Sequence, residues 1–423
     1  MSYLDIFILL CGTVGRISVK VVGDLYITEL LFALAIVIYF KNGTSLFRSL
    51  SGVVFIVLFT WLLSQIITDV YMSTPFDDWT RGWSKIVFFG IDLAGLILLT
   101  ELRLRRIVIF IVGFALAYLL QALFFPLAAQ ASDDFAGGLW KFGLTAFFTP
   151  MAAVLTMNAG LRRMLGTAGE FVPLILIGVV NLALNNRGSF GIAMAAVAFG
   201  MVKRAVDLRP GLRASVTPVT FAVLIGCGVA FSQGMIAIYS VAAENNLLGE
   251  AAKEKYEAQT SGDLGLLLGG RAESLGSTQA ILDSPIIGHG SWARDITYTV
   301  LMVEILEANG VKIEGDPYED DLIPTHSHIL GSWVEAGFLG GVFWIFVLAI
   351  TVGALYRSLK LADAPATFIA YFLFSALWSL AFSPFANTAR IGDAVSLCLV
   401  LSIWRSGKTS YSMKDKRSLG YST

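Results

Sequence analysis

The sequence predicts an all-α polytopic membrane protein: about twelve transmembrane helices and one large, partly helical extracytoplasmic loop. Three observations predict it. The chain of 423 residues is 56% apolar and only 14% charged, a balance foreign to soluble domains. About twelve segments approach the roughly 20 apolar residues needed to cross about 30 Å of hydrocarbon. Lys and Arg fall in every second connection between those segments, which is how short loops on the cytoplasmic side are marked.

The opening stretch "MSYLDIFILLCGTVG" lacks a basic leader and a small-residue cleavage site, so it is expected to stay as the first span. The spans are expected near 3–18, 25–40, 50–70, 84–101, 107–128, 139–158, 171–186, 188–202, 216–243, 329–355, 366–383 and 388–404. The basic connections carry Lys41 and Arg48; Arg103, Arg105 and Arg106; Arg162 and Arg163; Lys203 to Arg213; Arg357 and Lys360; and the tail from Arg405 to Arg417. The alternate connections, "STPFDDWTRG", "AQASDDFAGG" and "SPFANTAR", are acidic or nearly neutral. Both termini are therefore expected in the cytoplasm. The chain divides into an N-terminal bundle of about nine spans (1–243), an extracytoplasmic loop (244–328), C-terminal membrane helices (329–404) and a basic cytoplasmic tail (405–423).

A formal net charge of −1 gives no pull towards nucleic acid. Cys11, Cys227 and Cys398 sit inside apolar runs without CxxC or CxxH spacing. They read as small buried hydrophobes, neither a disulfide framework nor a zinc site. In the external segment, "NLLGEAAKEKYEAQ" has helical charge spacing, and "TYTVLMVEILEANG" reads as a helix closed by Gly310. Between them "DSPIIGHGSW" is punctuated by Gly and Pro, a loop held in a set shape.

Several polar residues are candidates for chemistry. Arg187, in "LALNNRGSFGIAMAA", lies between two apolar runs with almost no loop. An arginine there is either a snorkelling surface residue or part of a polar site, and the flanking Asn185, Asn186, Gly188 and Ser189 favour the site. Arg271, in "LLLGGRAESLG", offers a planar fork for phosphate oxygens beside glycines that permit close approach. Its bland alternative is a surface pair with Glu273.

The stretch "PTHSHILGSWVEAGFLGG" holds two of the chain's three histidines, His326 and His328, at the mouth of an apolar run. Three readings are open. The pair could bind metal with Asp316, Glu319, Asp320 and Asp321, although two histidines spaced by one residue are a weak metal signal. The stretch could be a polar helix cap made by Thr325 or Ser327. Or one histidine could be a general base, with Gly337, Gly340 and Gly341 letting its helix pack closely against a neighbour. Asp393, in "TARIGDAV", is an intramembrane carboxylate that could pair with Arg390. His289 in "GHGSW" reads as part of a turn.

"THSHILGSWVEAGFLGG" resembles the signature of the O-antigen ligase and Wzy-type polymerase superfamily: His; then Asn, Ser or Gln; nine residues; Gly; two residues; then Gly, Thr or Tyr. His326, Ser327, Gly337 and Gly340 meet the pattern. "NNRGSFGIAM" and "RAESLGSTQAILDSPIIGHG" resemble the family's Arg-Gly step and its Arg-led helix with a Gly-x-Gly turn. The resemblance spans roughly 170 to 355. Two positions depart from it: Ile329 stands where Asn often follows the second histidine, and Leu275 where an aromatic is common.

The resemblance implies a GT-C-like fold in the bacterial inner membrane and an inverting, metal-independent glycosyl transfer on the periplasmic face. The donor would be a glycan on polyprenyl diphosphate and the acceptor a hydroxyl of a growing glycan or a lipid A core. Other polysaccharide-assembly proteins would be partners, and no cofactor is implied. In this reading Arg187 and Arg271 bind the diphosphate, His326 is the base, and His328, Glu335 and Asp393 support the site. Residues 244 to 328 carry fifteen Asp and Glu against five Lys and Arg, a balance that repels a phosphate-rich acceptor and favours the polymerase over the ligase. The other classes considered are a lipid-linked glycan transporter or flippase, which should show internal repeats, and an intramembrane metallohydrolase, which needs a chelatable ion.

Overall fold

The computed structural model describes residues 2–21, 23–39, 49–127, 130, 135–209, 211, 215–224, 226, 241, 245, 273–310, 317–318, 320–362 and 364–418. Arg271, Lys41, Arg48, Asp316, Glu319, the expected helix in "NLLGEAAKEKYEAQ" and most of the span expected at 216–243 lie outside the described residues.

The described chain is mostly helical. In order it runs α1 (Tyr3–Thr13), α2 (Ile27–Ile38), α3 (Leu50–Met72), α4 (Phe76–Thr100), α5 (Leu104–Phe124), a π-helical turn (Ala136–Leu144) continuing into α6 (Thr145–Leu155), α7 (Ala159–Leu165), α8 (Val172–Ala183) and α9 (Arg187–Leu208). From residue 273 onward come α10 (Glu273–Asp283), α11 (Ile296–Ala308), α12 (His328–Ala336), α13 (Phe338–Lys360), α14 (Ala366–Phe382) and α15 (Arg390–Ser418). Among the described residues six helices are long and apolar enough to cross a membrane, or seven if the pair 159–170 and 172–183, bent by 60°, is one span. The architecture is that of a helical membrane protein.

The helix at the span expected over 3–18 is shorter than expected and is not among those long enough to cross a membrane. α1 stops at Thr13, and an antiparallel hairpin of β1 (Ser18–Val21) and β2 (Gly23–Tyr26) follows, with Ser18 opposite Tyr26. The alternation of Val19 and Val21 with Ser18 and Lys20 suits a strand, and Gly23 takes the positive φ of +73°.

Small residues set the helix contacts. A Cβ on Gly12 would come within 2.6 Å of the Phe110 carbonyl oxygen, and one on Gly113 within 2.3 Å of that of Leu9, so α1 and α5 touch backbone to backbone. α9 runs antiparallel along α14: its Gly188 faces Trp378 near the end of α14, and its Gly200 faces Thr367 near the start.

The expected span 329–355 is broken. Gly337 adopts φ +67° and ψ −159° and separates α12 from α13. A Cβ at Gly340 would lie 2.2 Å from the Ser332 carbonyl oxygen, and one at Gly341 2.5 Å from the Trp333 ring. The glycines therefore fold α12 back onto α13, whereas close packing of one continuous helix against another was expected. The "DSPIIGHGSW" loop locks this break: the Ile286 carbonyl accepts from Phe338 N, and those of Val334 and Glu335 accept from His289 N and Gly290 N.

Candidate functional site

The histidine stretch is a helix start. Ser327, extended at φ −150°, is the N-cap of α12; its hydroxyl accepts from Leu330 N at 3.3 Å and donates to the Leu380 carbonyl at 2.8 Å. It pins the entry of α12 to the last turn of α14. Gly188, beside Arg187, packs on Trp378 of the same turn. The start of α9, the end of α14 and the start of α12 thus share one end of the bundle.

His326 and His328 part company at that cap. His326 is 45% exposed, with Nδ1 3.5 Å from Glu273 Oε1 at the start of α10. His328 is buried between the Trp344 and Phe385 rings. Its Nδ1 is 2.6 Å from the Ser383 carbonyl oxygen and its Nε2 is 3.0 Å from Asp393 Oδ2. A carbonyl only accepts, so Nδ1 carries a proton. The second contact then needs one more proton, carried by Nε2 or by the carboxyl, so His328 has no lone pair to offer a substrate. A cavity large enough for about one water molecule adjoins this pair, lined by Asp393, Ser396, Thr351, Trp344 and Leu380.

Those contacts bear on the metal reading. Both His328 nitrogens are engaged, and among the described residues no three of His, Cys, Asp and Glu converge on a common point.

Asp393 pairs with His328; the expected partner, Arg390, is taken. The Arg390 guanidinium is buried and donates to Glu29 Oε1 at 2.9 and 2.5 Å, to the Asp24 carbonyl and to Asn387 Oδ1. Glu29, almost fully buried, supplies an opposite charge that outcompetes a neighbour on the same helix.

Arg187 opens α9 and is half-buried. Asn186 caps this helix by accepting from Ser189 N at 3.4 Å, and Asn185 sits at φ +54°, a left-handed conformation that Asn tolerates. The Asn185 Oδ1 is buried without a hydrogen bond among the described residues. The expected break at "NNRGS" is therefore present.

Glu335 is drawn elsewhere. Its carboxylate forms an ion pair with the buried Lys85 of α4. It belongs to a polar seam that sequence reasoning missed. Asp69 of α3 accepts from Ser291 N at 2.6 Å, Ser291 Oγ at 2.7 Å and Trp83 Nε1 at 2.7 Å. Thr68 donates to the Ile287 carbonyl, and Ser64 to that of Ala336. The seam ties the 284–294 loop and the Gly337 break to α3 and α4. Asp69 and Lys85 stand inside expected spans, so the cost of intramembrane charge would have flagged them.

His289 is a turn residue: its backbone N donates to Val334, and its ring Nε2 lies 2.7 Å from the Ala280 carbonyl. Outside the spans, burial and then the hydrogen bond to Asp283 push the Tyr298 phenol up to about 12. It stays protonated and joins α11 to α10.

The chain matches no family model, no curated protein and no solved structure.

Proposed function

We propose that the chain is an inverting membrane glycosyltransferase that moves a glycan from polyprenyl diphosphate to an acceptor hydroxyl, as an O-antigen-type polymerase rather than a ligase. One observation carries the reading: at the end of the bundle where α9, α12 and α14 meet, His326 is open beside a carboxylate while His328 is locked in hydrogen bonds. Of the two histidines in this stretch, the open one, which also heads the signature, has a ring nitrogen available to take a proton.

The reaction follows from the residues. His326 removes the acceptor hydroxyl proton as that oxygen bonds to the anomeric carbon, and the bond from that carbon to the diphosphate oxygen breaks from the opposite side. Negative charge grows on the leaving diphosphate. Arg187 and Arg271 supply the fork geometry that binds it, so the step needs no metal. His328 and Asp393 hold α12 to α14 and α15 and so support the site.

Membrane topology supports the same reading. Lys203, Arg204 and Arg209 lie at the far end of α9, and Arg357 and Lys360 precede the far end of α14. Positive residues mark the cytoplasmic side, so Arg187 and His326 face the periplasm in a bundle of about twelve spans of GT-C-like type.

The test is deletion of the gene in its source bacterium, complemented with wild type or His326→Ala, with glycan chain length analysed on carrier and surface. Single repeat units without long chains identify a polymerase; long chains stranded on the polyprenyl carrier identify a ligase. An unchanged profile removes glycosyl transfer and leaves the transporter reading.

A further inference from the structure

We propose that Glu273 is the positioning residue for His326: its carboxylate faces the Nδ1 edge of the ring at ion-pair distance and so favours the tautomer with Nδ1–H and a bare Nε2 towards the substrate. The identity of the proton taken rests on the glycosyl-transfer reading; the pairing itself does not.

The geometry that brings the two together is built by close packing. A Cβ on Gly276, in the first turns of α10, would come within 2.8 Å of the Pro324 ring and 2.9 Å of the Tyr298 carbonyl oxygen. This contact holds the start of α10 against the segment that carries His326, and it leaves Glu273 Oε1 3.5 Å from Nδ1. The other carboxylate oxygen, Oε2, is buried and has no hydrogen-bond partner among the described residues. A buried carboxylate oxygen without a donor is rare. It leaves the imidazole as the described group that answers this charge.

Among the described residues of this loop and its flanking helices, the other acids have partners of their own or stand exposed. Asp283 accepts from Tyr298 and Gln279. Asp295 accepts from Thr297, Asp320 from Leu322 N, and Asp321 from Arg294. Glu335 pairs with Lys85, and His328 with Asp393. Glu304 and Glu307 occupy exposed positions on α11. Glu273 is thus the described carboxylate placed to face Nδ1–H and to balance the imidazolium formed when Nε2 takes the hydroxyl proton. That proton leaves to water once the glycosidic bond is made.

A carboxylate at the first turn of a helix also steadies the helix N-terminus, and that role needs no histidine. The test therefore reads the histidine. The chain has three histidines, so protein carrying ring-15N histidine in detergent micelles gives few ring signals, and His326→Ala assigns the one that matters. Wild type should show His326 with Nδ1 protonated. Glu273→Ala should shift that ring towards the Nε2–H form preferred by free imidazole. With polyprenyl-linked glycan extracted from the deletion strain as donor, it should lower kcat about tenfold, with KM for the donor unchanged. Glu273→Gln keeps an acceptor oxygen and should keep the tautomer.

An Nε2–H ring in wild type, or a ring indifferent to Glu273→Ala, overturns the pairing. So does a loss of thermal stability in both Glu273 variants with no change in tautomer. If the tautomer responds to Glu273→Ala but His326→Ala still transfers glycan, the pairing stands and the catalytic reading of the site falls.

Discussion

His326 and His328 flank one serine and live in opposite worlds. The first is 45% exposed, with the Glu273 carboxylate near it; the second is 1% exposed, with both ring nitrogens bonded and aromatic rings on two sides. Residue type alone made the two equivalent. What separates them is the point at which the loop becomes α12. Ser327 caps the helix there, so His328 enters the bundle and His326 stays at its mouth.

The comparison breaks most directly at the open histidine. His326→Ala should lower glycan transfer by about 10²-fold or more, the worth of a general base, with the thermal unfolding temperature in detergent unchanged. Arg187→Lys belongs with it: a point charge cannot replace the planar fork, so transfer should fall by at least about tenfold, and equal activity of the Lys variant would remove the diphosphate clamp.

The buried histidine should behave in the opposite sense. His328→Ala leaves Asp393 without its partner beside a cavity, and losing one member of a buried pair costs about 3–5 kcal/mol. The expected outcome is a large drop in unfolding temperature and reduced membrane accumulation, with whatever transfer remains proportional to folded protein. Normal stability with lost transfer would reverse the two roles and make His328 the base.

Particular elements show how far the sequence could be read. α3 and α14, expected at 50–70 and 366–383, run Leu50–Met72 and Ala366–Phe382. Their ends were legible because polar residues and prolines punctuate apolar runs there. The hairpin at 18–26 was not, since Ile17, Val19 and Val21 feed a hydropathy sum that ignores the two-residue period. Nor was the break at Gly337, because the apolar run carries on past Glu335 and the positive φ that turns the chain leaves no mark in hydropathy. At the site, the histidine, Arg187 and its unwound step were visible as residue types in an unusual setting. Their partners were not: His328 meets Asp393 across 65 positions, and Asp69 meets Ser291 across 222. Local spacing pointed Asp393 at Arg390; Glu29, far away in sequence, had the stronger claim.

The Gly337 break sharpens the contrast, because it sets the direction of α12 from the end opposite the histidines. A Cβ there would sit 2.0 Å from the Ile286 carbonyl oxygen, on a backbone at φ +67°. Gly337→Ala must strain the turn or push the Gly-x-Gly loop away, at a cost of roughly 1–3 kcal/mol. Transfer and stability should fall together, unlike the separation expected between His326 and His328. An unaffected Gly337→Ala protein would mean that α12 can hold His326 in place without the loop.

The smallest effect belongs to an exposed pair at a basic connection. Glu101 has its carboxyl held below the usual range chiefly by the hydrogen bond from Arg106, with Arg103 adding charge. A lowered folded value means that this contribution is present above the ordinary glutamate range and is lost as pH falls through the folded value. The side chain is 46% exposed, so solvent screening keeps its worth below about 1 kcal/mol. Glu101→Gln should therefore lower the unfolding temperature only slightly at neutral pH, and the gap from wild type should close on acidification. A gap that persists in acid would show that Glu101 acts through packing rather than charge. Even then the difference should stay well below that of His328→Ala, because bulk water can replace what the exposed pair provides, whereas the His328 ring is buried among aromatic side chains.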